Sequence, residues 1–85
     1  MKPSAPTLTL TQLDQIPVGM TATVCYIEAQ TEMTARLRAL GIKPGNQISV
    51  VRCAPLSGPL QIRAGQTDII LRRTEAAAIH VNPAF

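Results

Sequence analysis

The pattern of hydrophobic residues along the chain predicts short strands with one inserted helix. The segment Thr21 to Glu28 is rich in β-branched residues and lacks proline, which favours a strand. Both of its faces are apolar, because Val24 and Tyr26 alternate with Cys25 and Ile27. A strand that is apolar on both faces is typical of a sheet centre or of a barrel wall.

Residues 31–40 give the clearest helical pattern in the chain. Their apolar side chains recur at i, i+4 and i+7 and form one narrow stripe, at Met33, Leu37 and Leu40. Thr31 is placed to cap the helix start, and Gly41 is placed to end it in the left-handed conformation. Pro44 and Gly45 are the residues preferred at the centre of a type II turn.

The second half of the chain predicts further strands. Residues 46–54 form a long strand whose apolar face changes near Val50 and Val51, which indicates a bulge. Residues 55–59 form a loop, because two prolines and a glycine do not fit a central strand. The later elements are strands over 60–64, 67–72 and 79–82, a hairpin connection at Gly65 and Gln66, and a helical turn over 74–78 that Thr74 caps.

Together these elements predict an all-β fold, a small closed barrel of about five strands with one inserted α-helix and short helical turns. One such turn is expected over residues 9–15, before Pro17. A length of 85 residues is enough for one small domain and too short for two. We expect residues 1–7, which include two prolines, to form a flexible N-terminal arm, and residues 8–85 to form the domain.

Composition and charge narrow the possible functions. The net charge of +3 comes from scattered residues, and only 2% of the chain is aromatic, so we expect no nucleic-acid binding. No apolar run approaches the roughly 18 residues of a spanning helix, and the first residues do not resemble a secretory leader. The expected location is therefore the cytoplasm, where both cysteines stay reduced.

The titratable residues do not form a catalytic motif. His80 is the one histidine, and its position between Ile79 and Val81 predicts a side chain that points to solvent. The five acidic residues are scattered, neither cysteine lies in a nucleophile motif, and no phosphate-binding loop is present. We therefore expect a binding protein rather than an enzyme.

Metal binding remains an alternative. Cys25, Cys53 and His80 are lone candidate ligands, without the close pairs of a structural zinc site. They are interpreted either as two small core residues and a surface histidine, or as ligands of a weak divalent-metal site. A surface site would need ligands from a second copy of the chain, so the sequence leaves a homo-oligomer open.

Three segments carry motifs that occur together in one family. Residues 33–45 combine Arg-Leu, Leu-Gly and Pro-Gly pairs, residues 54–62 begin with Ala-Pro-Leu, and residues 70–76 contain Arg-Arg followed by Glu-Ala. In this order, over about residues 8–81, they resemble the bacterial ferrous iron transport protein A family, FeoA.

The resemblance implies a small SH3-like β-barrel that acts as a cytoplasmic accessory of the ferrous iron transporter, protein B. That partner is a membrane protein with a GTP-binding domain. The same barrel occurs in metal-dependent repressors, but no winged-helix domain fits in this chain. Two features depart from the family: Ser57-Gly58 replaces a frequent glycine-aspartate, and residues 29–32 contain less glycine. An acidic loop contact is therefore not carried over, and the family provides no catalytic residues.

The resemblance therefore implies a partner-binding surface for the cytoplasmic part of protein B, at the inner face of the membrane. Its expected apolar anchors are Met33 and Leu56, with Arg63 and Arg72 at the rim. The same arginines also fit an ordinary solvated outer face. The alternative function is a metal-responsive module for a divalent transition metal, iron or zinc. No other cofactor is predicted.

Overall fold

The computed structural model describes residues 10–83, so the predicted arm over 1–7 lies outside the described residues. Three elements are helical: a 3-10 turn at Leu13–Gln15, α1 at Thr31–Ala39 and α2 at Arg73–Ala77. The strands are β1 Thr11–Gln12, β2 Thr21–Ile27, β3 Gln47–Cys53, β4 Leu60–Ala64, β5 Thr67–Leu71 and β6 Ile79–Pro83.

One antiparallel sheet contains these six strands in the order β1-β6-β2-β3-β4-β5. The predicted all-β class and the inserted helix are confirmed, and the structure adds β1 to the expected strands. Within residues 10–83 the edge strands β1 and β5 do not pair with each other, so strand pairing does not close the sheet as expected. β1 lies in the segment 9–15, which was expected to be a helical turn, and only Leu13–Gln15 is helical. A strand of two residues is too short to show an alternating pattern in the sequence. β1 is recognised only by its pairing with Val81 and His80 of β6.

Two bulges bend the sheet. The register of β2 against β6 shifts between Val24 and Tyr26, and that of β3 against β4 shifts between Val50 and Arg52. The second shift confirms the predicted bulge. An extra residue in one strand reverses which side chains face inward. Val24 is therefore buried and Tyr26 is exposed, although simple alternation would place them on the same face.

The core is entirely apolar within residues 10–83, where no polar or charged residue is buried. Burial of apolar area is the main force that stabilises a domain of this size. The core is formed by every strand from β2 to β6, by both helices and by the segments around them. Its members are Leu13, Ile16, Ala22, Val24, Leu37, Ile42, Ile48, Val50, Leu60, Ile62, Ala64, Ile69, Leu71, Ala76, Ile79 and Val81.

Helix α1 ends as its sequence predicts. Gly41 has a φ of +99° and its N–H donates to the carbonyl of Arg38 at 3.0 Å. The N–H of Ile42 donates to the carbonyl of Leu37 at 2.9 Å, and both of these side chains are fully buried. This pair of bonds is a Schellman motif with its apolar contact, and it fixes α1 against the core.

The helix starts differ from the predicted caps. The cap position of α1 is Gln30 and not Thr31, which is the first helical residue. The cap position of α2 is Arg72 and not Thr74. There the backbone N–H of Arg72 donates to Oε1 of Glu75 at 2.9 Å, which satisfies a donor that the first turn would otherwise leave open.

Candidate partner-binding surface

The hairpin loop between β3 and β4 presents Leu56 to solvent. Its side chain is 99% exposed. Leu56 and Ser57 both have a φ of +59°, and the N–H of Gly58 donates to the carbonyl of Pro55 at 3.1 Å. Positive φ at both central residues is the geometry of a type I′ turn. The predicted loop therefore places the predicted anchor at the tip of a tight hairpin.

This turn holds Leu56 in an unfavourable backbone conformation. The left-handed region costs a residue with a side chain about 1–2 kcal/mol, and type I′ turns usually contain asparagine or glycine. The base of the loop is closed by a bond from the N–H of Ala54 to the carbonyl of Pro59 at 3.0 Å. At Gly58 a Cβ would lie 2.8 Å from that of Ala54, so the loop is also tightly packed. A strained, exposed leucine adds nothing to the core.

Met33 and Arg72 lie in one groove, between α1, the end of β5 and α2. The groove has a volume of about 540 Å³, and Ile70, which is 63% exposed, lies on its wall. An ion pair between Arg36 of α1 and Glu75 of α2 also borders it. The structure thus brings two of the four predicted partner-binding residues together.

Ile70 connects this groove to the Leu56 loop. A shallow depression of about 140 Å³ has Ile70 on one side and the loop residues Ala54 and Pro59 on the other. We refer to the surface formed by Leu56, Ile70, Met33 and Arg72 as the docking face. Ile70 was not singled out from the sequence, although three consecutive apolar residues in an alternating strand, 69–71, require one to face outward.

Arg63 is held by a neighbouring carboxylate. Its Nε donates to Oδ1 of Asp68 at 2.7 Å and its Nη2 to Oδ2 at 3.1 Å, and Gln61 also donates to Oδ2 at 3.0 Å. The hydrogen bonds from Arg63 lower the pKa of Asp68, and the bond to Asp68 raises the pKa of Arg63. By contrast, no Asp or Glu of residues 10–83 lies within ion-pair distance of Arg72.

His80 does not point freely into solvent, which corrects the sequence prediction. Its ring stacks on Tyr26 with centroids 4.4 Å apart and planes 7° from parallel. Its Nε2 lies 3.0 Å from Oε1 of Glu28, and its side chain is only 14% exposed. The cause is cross-strand pairing: Tyr26 of β2 lies directly opposite His80 of β6, and neighbouring rings on one face cover each other.

The candidate metal ligands do not converge. Cys25 and Cys53 are free, half-buried thiols; Cys25 donates to the carbonyl of Thr23 at 3.7 Å, and Cys53 packs against the core. Residues 10–83 contain no group of three His, Cys, Asp or Glu side chains placed to hold a metal ion. The same part of the chain has no helix of the length and apolarity needed to cross a bilayer.

Comparison with known proteins gives a consistent match. Residues 11–83 match the family described as the FeoA domain. A fusion of Fe(2+) transport protein A with the Fe(2+) transporter FeoB from Porphyromonas gingivalis is 33% identical over 70 residues, which cover 82% of this chain and 8% of the fusion protein. The chain thus spans a small part of that relative.

Solved structures agree with this match. The FeoA protein from Chlorobium tepidum has a TM-score of 0.83 and 29% identity, and the alignment covers 88% of this chain and 71% of that one. FeoA from Stenotrophomonas maltophilia, complexed with zinc and described as a prokaryotic SH3 domain protein, has a TM-score of 0.74 and 29% identity, with coverages of 84% and 88%.

Proposed function

The chain belongs to the FeoA family of ferrous iron transport, and from that premise we propose that it is an accessory protein that binds the cytoplasmic part of the transporter FeoB. We further propose that it acts by binding and modulating this partner and not by catalysis. The docking face is the surface that would carry the contact.

The fusion in Porphyromonas gingivalis supports the choice of partner. There a relative of this chain is joined covalently to FeoB, which keeps the two at high effective concentration. Residues 10–83 offer no helix that would span a bilayer, so we propose that the chain reaches the inner face of the membrane through its partner.

Leu56 is the observation that supports this proposal most strongly. A fully exposed leucine at positive φ reduces the stability of the hairpin and contributes nothing to the core. An apolar side chain on a rigid tip is well suited to enter a pocket of another protein, and it would lose little conformational freedom on binding. Ile70 and Met33 extend the apolar area, and Arg72 supplies charge at its rim.

Co-purification of the full chain with detergent-solubilised FeoB, with and without guanine nucleotide, tests the proposal. Leu56→Asp should reduce retention about tenfold or more, as expected for an apolar anchor at the centre of an interface. Ser57→Gly is the matched control, because it changes the adjacent residue and keeps the leucine side chain. Circular dichroism should show both variants folded. Equal retention of Leu56→Asp and the unsubstituted chain would overturn the assignment of Leu56.

Direct metal binding is a second candidate, favoured by the zinc complex of the Stenotrophomonas maltophilia protein. In this chain Glu28 and His80 are adjacent donors, but two donors do not complete a site. The remaining ligands would come from a second copy. Calorimetric titration with Zn²⁺ or Fe²⁺ decides: binding that disappears in His80→Ala or Cys53→Ser supports this function, and a flat titration excludes it.

A further inference from the structure

Strand β5 forms one edge of the sheet. Within residues 10–83 it pairs with β4 alone, and β1 at the opposite edge has only two residues. An edge strand exposes a row of backbone donors and acceptors, and natural proteins usually protect such edges with charge, bulges or covering elements. β5 has a regular register along its whole length, and its central outward side chain is Ile70.

The register of β5 shows which of its backbone groups are open. Gly65 and Gln66 form a two-residue hairpin loop, so its flanking residues, Ala64 and Thr67, are a hydrogen-bonded pair. Because such pairs alternate, the backbone N–H and C=O groups of Asp68 and Ile70 point away from β4. Arg72 follows in this row, but its N–H donates to Glu75 and its carbonyl accepts from Ala76 at 3.0 Å, so the open backbone groups are those of Asp68 and Ile70.

The open row of β5 is complementary to itself. If a second β5 lies antiparallel to the first with Ile70 opposite Ile70, then Asp68 of each strand lies opposite Arg72 of the other. Two backbone hydrogen bonds join the central pair. The side chain of Asp68 is 39% exposed, and its carboxylate can accept a further hydrogen bond besides those from Arg63 and Gln61. Arg72 has no acidic partner within residues 10–83.

A groove lies beside the end of β5. It has a volume of about 540 Å³ and is lined by Ile70 and Arg72 on the β5 side and by Met33 of α1. The Ile70 side chain is 63% exposed and would be buried against its symmetry mate. An arrangement in which the same patch serves both subunits is the isologous contact of a C2 dimer.

We propose that two copies of this chain associate through β5, antiparallel and centred on Ile70, to form one continuous sheet across the dimer axis. A contact of two short strands is smaller than a standard interface, so the dimer is weak and forms as concentration rises. The proposal does not rest on FeoB binding, although the dimer would cover Ile70 and Arg72, which also belong to the docking face. We infer a second copy as the occupant of the edge because this register places the negative Asp68 of each strand opposite the positive Arg72 of the other.

Light scattering after gel filtration of the full chain, up to about 1 mM, tests the association. The mass should rise towards that of a dimer. Ile70→Lys places two like charges at the axis and should keep the chain monomeric, and Arg72→Asp should weaken the dimer because it faces Asp68. Val18→Lys is the matched control, since Val18 is also an exposed apolar residue, at 54%, but lies outside β5.

Backbone amide exchange of the same chain provides a second readout. The Ile70 amide, which bonds across the axis, should exchange fast in the dilute monomer and slow down at high concentration. Three results would each overturn the proposal: a monomer at about 1 mM, a dimer that survives Ile70→Lys, or slow exchange in the dilute monomer. The last result would mean that the edge is already covered in the monomer.

Discussion

Arg63 of β4 and Asp68 of β5 face each other across the sheet, and the guanidinium donates two hydrogen bonds to the carboxylate. Arg72 on the same part of the surface has no such partner within residues 10–83. The two arginines therefore differ in what they can offer another molecule. Arg63 is already neutralised, whereas Arg72 keeps an open charge at the rim of the docking face.

The Arg63–Asp68 pair makes stability depend on pH. The folded chain holds the pKa of Asp68 below its ordinary value, so unfolding at neutral pH loses a favourable interaction. This contribution is complete above the ordinary carboxyl pKa and disappears as pH falls through the lowered value. Urea unfolding should show Asp68→Asn less stable than the unsubstituted chain at pH 7, with the two converging in strong acid. A constant difference across this range would contradict the assignment.

Exchange of the two arginines for glutamine should separate their roles in FeoB binding. Arg72→Gln removes an open rim charge and should weaken binding about two- to fivefold, with a loss that shrinks at high salt. Arg63→Gln removes a charge that Asp68 already neutralises, so its effect should be smaller. Affinity measurements at low and high ionic strength provide the comparison. A larger loss for Arg63→Gln would reverse this interpretation.

The strained backbone at Leu56 should lower the stability of the chain, while the leucine side chain should strengthen FeoB binding. Leu56→Asn replaces leucine at positive φ with a residue that accepts this conformation, so the free energy of unfolding should rise by about 1 kcal/mol. The same substitution should weaken FeoB binding. Ser57→Gly relieves the second strained position and should raise stability while binding is retained. Urea unfolding checks both variants, and lower stability of Leu56→Asn would show that Leu56 supports the fold instead.

The core contact of α1 should be essential for stability. Leu37 is fully buried and anchors the Schellman motif, so Leu37→Ala should destabilise the chain by about 2–5 kcal/mol. Arg38→Ala at the neighbouring exposed position is the control and should change stability by less than about 0.5 kcal/mol. Thermal and urea unfolding provide the comparison. Equal stability of the two variants would show that α1 contributes little to the fold.

The sequence predicted most of the framework because its signals are local. The helix end at Gly41 and the bulge near Val50 both follow from residue types within a few positions, and both are confirmed. β1 was missed because a two-residue strand depends on β6 at the other end of the chain. The helix caps at Thr31 and Thr74 were wrong by one and two residues, because Gln30 and Arg72 occupy the cap positions without being typical capping residues.

The candidate surface was less accessible to prediction because it depends on three-dimensional neighbours. Leu56 was expected to be exposed from its proline-rich loop, but its positive φ becomes visible only in the folded hairpin. His80 was assigned the correct strand face, yet Tyr26 and Glu28 cover it through pairing between β2 and β6. The open edge of β5 follows from strand order, which no local pattern specifies.

The central claim is that the Leu56 hairpin binds the cytoplasmic part of FeoB. Its most direct test is the dissociation constant of the full chain for immobilised FeoB, measured side by side for the unsubstituted chain, Leu56→Asp and Ser57→Gly. We predict that Leu56→Asp raises the dissociation constant about tenfold or more while Ser57→Gly leaves it unchanged. Three equal constants, with all proteins folded, would contradict the claim.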